Sequence, residues 1–453
     1  MLDSCTIRGR RICRPEHPRA HESHTARMIS MSKRTGLILF LLLTAVFLVL
    51  NRAAYRGYFA DDDINTMAWT RWGPASEYLK GVLTPIDSQS YRAVGFYYFH
   101  VAGPAFGLDF PKYVASIQAI HLLNLWLLWL LMRRMGSPPL AAAAGCVFFA
   151  LHAALLDTVW KPMYVFDLLC GTLCVASILL WSRGHWILSF LSFWLAYKSK
   201  ELAVMLPVVL VCYELWFGGR RWMRLAPFLA ASLSFTVQTL LLHPVETGDY
   251  SLHFTLDTIT ATAPFYAGKV FLTPYLGFLL PLGAVTARNR RTWFGLAMMA
   301  LFLFPLLCLP GRISSAYCYL PFTGLAIAMA GIAEAAKPSA IAIFLLLWLP
   351  ADIYWLNSQG DETLRQDRDT HEWITTLGKF AETRPAVTGF VYKGFPEAFH
   401  NWSAEGGVKY FFRLLNVTVP RADSPEGAQL LRNGRVAILS WDAARHRLEI
   451  QTP

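Results

Sequence analysis

Apolar runs of roughly bilayer length alternate with short polar links from Thr35 to Leu356. A helix crosses the hydrocarbon core with about 20 mostly apolar residues, and shorter runs serve where they are re-entrant or the bilayer thins around them. The runs are Thr35–Leu50, Pro111–Met132, Leu140–Leu156, Met163–Trp181, Trp186–Tyr197, Leu202–Phe217, Leu225–Leu242, Pro264–Val285, Trp293–Leu309, Tyr317–Ala333 and Ala340–Leu356. They predict a polytopic α-helical membrane protein with about eleven transmembrane helices. The segment Tyr91–Gly107 is aromatic-rich and interrupted at Gly103 and Pro104, which suits a helix lying on the interface.

After Asn357 the period changes. Residues 357–370 are charged and helical in pattern, 388–393 and 435–441 alternate like strands, and 404–415 reads as a helix. The expected organisation is a polar basic tail (1–34), a transmembrane domain (35–356) with a first outer loop at 51–110, and a small C-terminal α/β domain (357–453).

Composition agrees with a membrane chain: of 453 residues, 55% are hydrophobic and 14% aromatic. The formal charge of +11 does not imply nucleic acid, because many cations sit in short clusters between apolar runs. With Lys33-Arg34 ahead of an uncleaved signal anchor, the groups Arg133-Arg134, Arg183, Arg220-Arg221 with Arg224, Arg288 with Arg290-Arg291, and Lys337 fall on one side. The positive-inside rule makes that side cytoplasmic, giving N-in and C-out with an extracytoplasmic tail domain. Eight scattered cysteines, without paired spacing, point to neither a disulfide framework nor a zinc site.

Candidate chemistry gathers on the outer side of this topology. The first outer loop carries Asp61, Asp62 and Asp63, three carboxylates whose mutual repulsion demands a counter-ion, a proton or a role; a solvated exit from the bilayer is the bland alternative. His152, Asp157, Trp160, Lys161 and Asp167 lie at a later link, Lys200-Glu201 in a very short turn, and Arg312 ahead of Tyr317 and Tyr319. Taken singly, Lys200 and Glu201 read as a mutually neutralising pair, Arg312 as a headgroup contact, His152 as a packed histidine, and the aspartates as helix caps or partners of Lys161. Taken together, acids in the first loop and cations in later turns make a pocket with a negative and a positive end. That arrangement suits deprotonating a hydroxyl while holding a lipid-linked phosphate as leaving group.

These residues carry a resemblance. The ordered set Asp61-Asp62, His121 and Asn124, then His152, Asp157, Val159, Asp167 and Leu169, Lys200-Glu201 with Pro207, and Tyr317-Cys318-Tyr319-Leu320-Pro321 with Gly324 resembles the C-type superfamily of polytopic membrane glycosyltransferases. Within it, the chain resembles the membrane part of tetratricopeptide-bearing protein O-mannosyltransferases. Ala153, Val165 and Ala316 depart from a family proline and two family arginines, which leaves Arg312 as the substitute cation. No helical repeat follows Asn357, so a protein acceptor does not carry over.

The resemblance implies transfer of a monosaccharide from a polyprenyl-phosphate donor to a hydroxyl acceptor, outside the cytoplasm at a plasma or bacterial inner membrane. Asp61 or Asp62 would be the general base, with Asp63 in support. Lys200, Arg312 and Tyr319 would hold the departing phosphate, with Glu201 orienting Lys200 and His152, Asp157 and Asp167 supporting. It implies no metal, although the triplet's carboxylates are hard oxygen ligands that suit a divalent cation. Two other classes compete: a transporter or flippase of lipid-linked glycans, which calls for mid-span polar breaks and internal repeats, and a non-catalytic scaffold presenting the tail domain.

Overall fold

The computed structural model describes residues 36–60, 62–85, 92–237, 248, 251–383, 386–397, 399–414 and 416–452. Asp61 and the N-terminal tail lie outside the described residues.

The chain is a helical bundle with a small sheet after it. Its helices are α1 Gly36–Leu50, α2 Asp63–Thr70, α3 Ala75–Leu83, α4 Ala93–Phe106, α5 Phe110–Arg134, α6 Pro139–Leu151, α7 Leu156–Trp160, α8 Val165–Ser182, α9 Trp186–Tyr197, α10 Leu206–Trp216, α11 Trp222–Val237, α12 Leu256–Val270, α13 Leu280–Ala287, α14 Arg290–Leu307, α15 Tyr319–Ala335 and α16 Pro338–Glu382. Among the described residues, five helices can cross a membrane by length and composition: α5, 162–182, α14, 315–335 and α16. A sixth is the pair α6 and α7, if its 52° bend belongs to one span. Four other expected runs contain shorter apolar helices among the described residues, with Thr35 and 238–242 of two of these runs lying outside them. Pro227 and Pro264 fall within α11 and α12, and both helices continue past them.

The interior is assembled by close approach. Gly295 on α14 and Gly324 on α15 face one another, and a methyl at Gly324 would lie 2.5 Å from the Met299 nitrogen. Small residues let these backbones touch, which is how helices associate where lipid supplies no hydrophobic drive.

Helix α16 changes character along its length. Its first part is apolar and mostly exposed, as expected of a lipid-facing surface, while the later part buries Asp367, Thr370, Trp373 and Ile374. It leads into β1 Gly389–Lys393, α17 Asn401–Phe412, α18 Pro425–Asn433, β2 Val436–Asp442 and β3 Arg447–Gln451. Strand β1 pairs parallel with β2, and β2 antiparallel with β3. The alternating segments at 388–393 and 435–441 are β1 and β2; β3 and α18 were not expected. Helix α17 lies directly on α2, with Gly406 against the backbone of Asn65. The α/β segment therefore sits at the end of the bundle where Asp62 and Asp63 lie.

Candidate active site

Four polar clusters from distant parts of the sequence meet at this sheet-bearing end. Lys200, in the turn after α9, places Nζ 2.6 Å from both carboxylate oxygens of Asp167 on α8, and both side chains are buried. The ring of Tyr317 covers the ammonium at 4.5 Å. Glu201 points the other way, accepting from Arg92 Nε at 2.8 Å. Arg92 precedes α4, and its guanidinium lies over Phe166 at 5.8 Å. The result is a ladder of alternating sign, Asp167, Lys200, Glu201, Arg92. Burial alone would raise the Glu201 carboxyl, but the Arg92 charge and hydrogen bond outweigh it and hold the group below its ordinary range.

This corrects one expectation: Glu201 does not orient Lys200, because the turn projects the two neighbours to opposite sides. Asp167 takes that place. Sequence reading missed Arg92 altogether, since a lone arginine in a loop carries no spacing signal.

Two more backbone links hold the turn. Lys198 donates through Nζ to the Thr84 carbonyl at 2.7 Å, and its own carbonyl accepts from Val94 N at 3.1 Å. The first loop and the Lys-Glu turn are thus one unit.

The carboxylate pole stands beside this ladder. Asp62 is the N-cap residue of α2 and half-buried; Asp63 is buried, with Oδ2 accepting from Ala60 N at 3.0 Å. Asp63 thus fastens its own loop. Thr66, one turn further on, touches Met163 Sδ at 3.9 Å, so α2 packs against the link that leads into α8. Lys161 lies 3.4 Å from Asp157. Burial works against its charge, yet the carboxylates of Asp157, Asp367 and Asp63 raise the ammonium above its usual range. Asp367, on α16, also accepts from Tyr58 N at 3.0 Å and so ties the long helix to the loop that carries the triplet.

Two expected residues are elsewhere. Tyr319 is wholly buried: its hydroxyl accepts from Asn124 Nδ2 at 2.9 Å and stands 2.8 Å from His121 Nδ1, joining α5 to α15. Both contacts are interior, so in this structure the hydroxyl acts as a fastening between helices rather than as part of the ladder. His152 is also interior, within 3.1 Å of the Val270 carbonyl through Nε2 and accepting from Ala154 N through Nδ1. Nearby Asp352 accepts from Ala153 N at 2.8 Å. His152 therefore holds the bend between α6 and α7 rather than facing the ladder. Arg312 belongs to the loop whose contact with Lys200 is made by Tyr317, and its amide donates to the Leu309 carbonyl.

No protein-family model matches the sequence, and comparison with curated proteins finds no match. Comparison with solved structures does. The chain is similar to ArnT from Cupriavidus metallidurans in the apo state, at 14% identity and a TM-score of 0.57, covering 91% of this chain and 94% of that one. It is similar also to ArnT from the same organism bound to undecaprenyl phosphate, at 13% identity and a TM-score of 0.51, covering 89% and 93%. These neighbours lend nothing to the narrower likeness to O-mannosyltransferases. At such identity the finding concerns architecture: the chain has the fold of ArnT over nearly its whole length.

Proposed function

We propose that the protein is a glycosyltransferase that moves a monosaccharide from a polyprenyl-phosphate donor to a hydroxyl acceptor on the extracytoplasmic side of the membrane. The observation that carries this is the four-residue charge ladder Asp167, Lys200, Glu201, Arg92, two cations each held by a carboxylate. The ArnT-like fold supports it, since one of those neighbours holds undecaprenyl phosphate.

The donor's phosphate carries the leaving charge, and cations that are already paired and fixed lower the cost of its departure. In the proposal Lys200 and Arg92 share this task, each held by a carboxylate so that no reorganisation is needed as charge develops. Arg312, in the Tyr317 loop, is assigned to the outer part of the phosphate. Asp62, half-buried, or Asp61 removes the acceptor proton; Asp63 supports by anchoring the loop. As the acceptor oxygen forms its bond to the anomeric carbon, the phosphate oxygen leaves from the opposite face, so the product is inverted. In this reading the basic links mark the opposite end of the bundle as cytoplasmic and this end as outside.

Transfer from a radiolabelled polyprenyl-phosphate sugar, measured in proteoliposomes with Asp61→Asn, Asp62→Asn and the double variant, tests the reading. Loss in the double variant is the expected result; full activity in it sinks the assignment. Movement of the lipid-linked sugar across the bilayer with no transfer product would favour the transporter class instead.

A further inference from the structure

Far from the acids, at the arginine-rich end of the bundle, a cavity of about 450 Å³ lies between α5, α8 and α10. Arg134, Tyr213, Phe217, Gly218, Gly219 and Arg221 line it. Its architecture is more specific than a cluster of topology-setting cations requires. Glu214, wholly buried beneath, accepts from Trp181 Nε1 at 2.6 Å, from Arg221 N at 3.0 Å and from Arg221 Nη2 at 2.7 Å. Arg221 Nη1 donates to the Trp181 carbonyl at 3.1 Å, and its guanidinium stands 4.9 Å from the Trp181 ring. The guanidinium is thereby fixed in one plane while part of it remains accessible at the cavity wall. Gly218 is required there, because any side chain would collide with Glu214.

Arg134 completes the wall. It is exposed and donates through Nη2 to the Ser182 carbonyl at 3.1 Å, and no carboxylate pairs with it among the described residues. The cavity therefore presents two guanidiniums, one locked and one with no carboxylate partner among the described residues, beside Phe217 and Met135. A planar fork of N–H donors matches phosphate oxygens in a bidentate way, and an apolar flank suits the glycerol and first acyl carbons of a lipid.

We infer that this cavity is a binding site for a phosphate-bearing anion, the headgroup of an anionic phospholipid being the source that its apolar flank favours. It lies at the opposite end from the proposed donor site and does not depend on that reading. The occupant would join α5, α8 and the α10–α11 loop across a single headgroup.

The test is native mass spectrometry of the full chain in detergent, titrated separately with phosphatidylglycerol, phosphatidylcholine and inorganic phosphate. Phosphatidylglycerol is expected to be retained over phosphatidylcholine, and Arg134→Gln to weaken it by about tenfold, as loss of a charge-assisted hydrogen bond does. Arg224→Gln, an exposed cation of the same end outside the cavity, is expected to leave binding unchanged. Gly219→Asp gives a second, independent reading: a Cβ there meets nothing within 4 Å, so the carboxylate fits and is expected to abolish binding. Retention of inorganic phosphate alone, with the same Arg134 and Gly219 dependence, keeps the phosphate site and reassigns its source. Equal retention of both lipids, or equal losses in Arg134→Gln and Arg224→Gln, overturns the inference.

Discussion

Lys200 and Asp167 form a buried ion pair, Nζ lying 2.6 Å from each carboxylate oxygen, although a carboxylate immediately follows Lys200 in the sequence. Breaking a buried pair on one side typically costs about 3–5 kcal/mol, because an uncompensated charge remains. Asp167→Asn is therefore expected to lower the melting temperature of the detergent-solubilised protein and to abolish transfer. The double variant Asp167→Leu with Lys200→Met is expected to regain stability and not transfer. If it regains both, the pair is structural only.

Arg92 is expected to act on the donor. Arg92→Gln leaves Glu201 in place and removes one charge-assisted bond, for which about 1.5–3 kcal/mol is typical. Steady-state kinetics with a polyprenyl-phosphate sugar should show kcat/KM for the donor reduced by at least about tenfold, in proportion to that energy. Unchanged kinetics would remove Arg92 from the phosphate site.

Tyr319→Phe separates the two roles open to that hydroxyl. In its interior position the change leaves Asn124 and His121 short of a partner, which costs about 1–3 kcal/mol of stability. Activity per folded molecule is expected to persist, as read by transfer assays normalised to monodisperse protein. A large fall in kcat with unchanged melting temperature would return Tyr319 to the phosphate.

The Glu201 and Arg92 pair is expected to add a pH dependence. Glu201 is held below its unfolded value of 4.5. Its stabilising share is thus present above pH 4.5 and is lost as pH falls through the lower folded value. Thermal melts of wild type and Glu201→Gln from neutral pH downward should converge in that acid range; parallel curves would show that the pair contributes nothing.

Gly406 tests whether the α/β segment positions the acids. A Cβ there would lie 2.5 Å from both the nitrogen and the Cα of Asn65, two residues after Asp63. Overpacking of this kind costs about 1–3 kcal/mol. Gly406→Val is expected to reduce transfer by at least about tenfold while membrane insertion stays intact, and limited proteolysis should show α17 released from α2. Full activity with α17 released would mean that the segment does not position the triplet.

The run of apolar segments, the arginine-rich end and the strand-like segments at 388–393 and 435–441 were legible in the sequence, because hydropathy and period are local properties. So were the residue types of the ladder: Lys200, Glu201 and Asp167 stood out as charges beside apolar runs. Their pairing was not legible. Asp167 and Lys200 are 33 positions apart, and Arg92 and Glu201 are 109 apart, so the approach of α8, α9 and the first loop chose the partners. The same holds for Tyr319, whose tyrosine-rich surroundings read as a ligand motif until α5 closed over it with His121 and Asn124. Sequence determined which side chains are costly to bury; tertiary structure decided which of them offset one another, because Coulomb and hydrogen-bond terms depend on distances that packing alone sets.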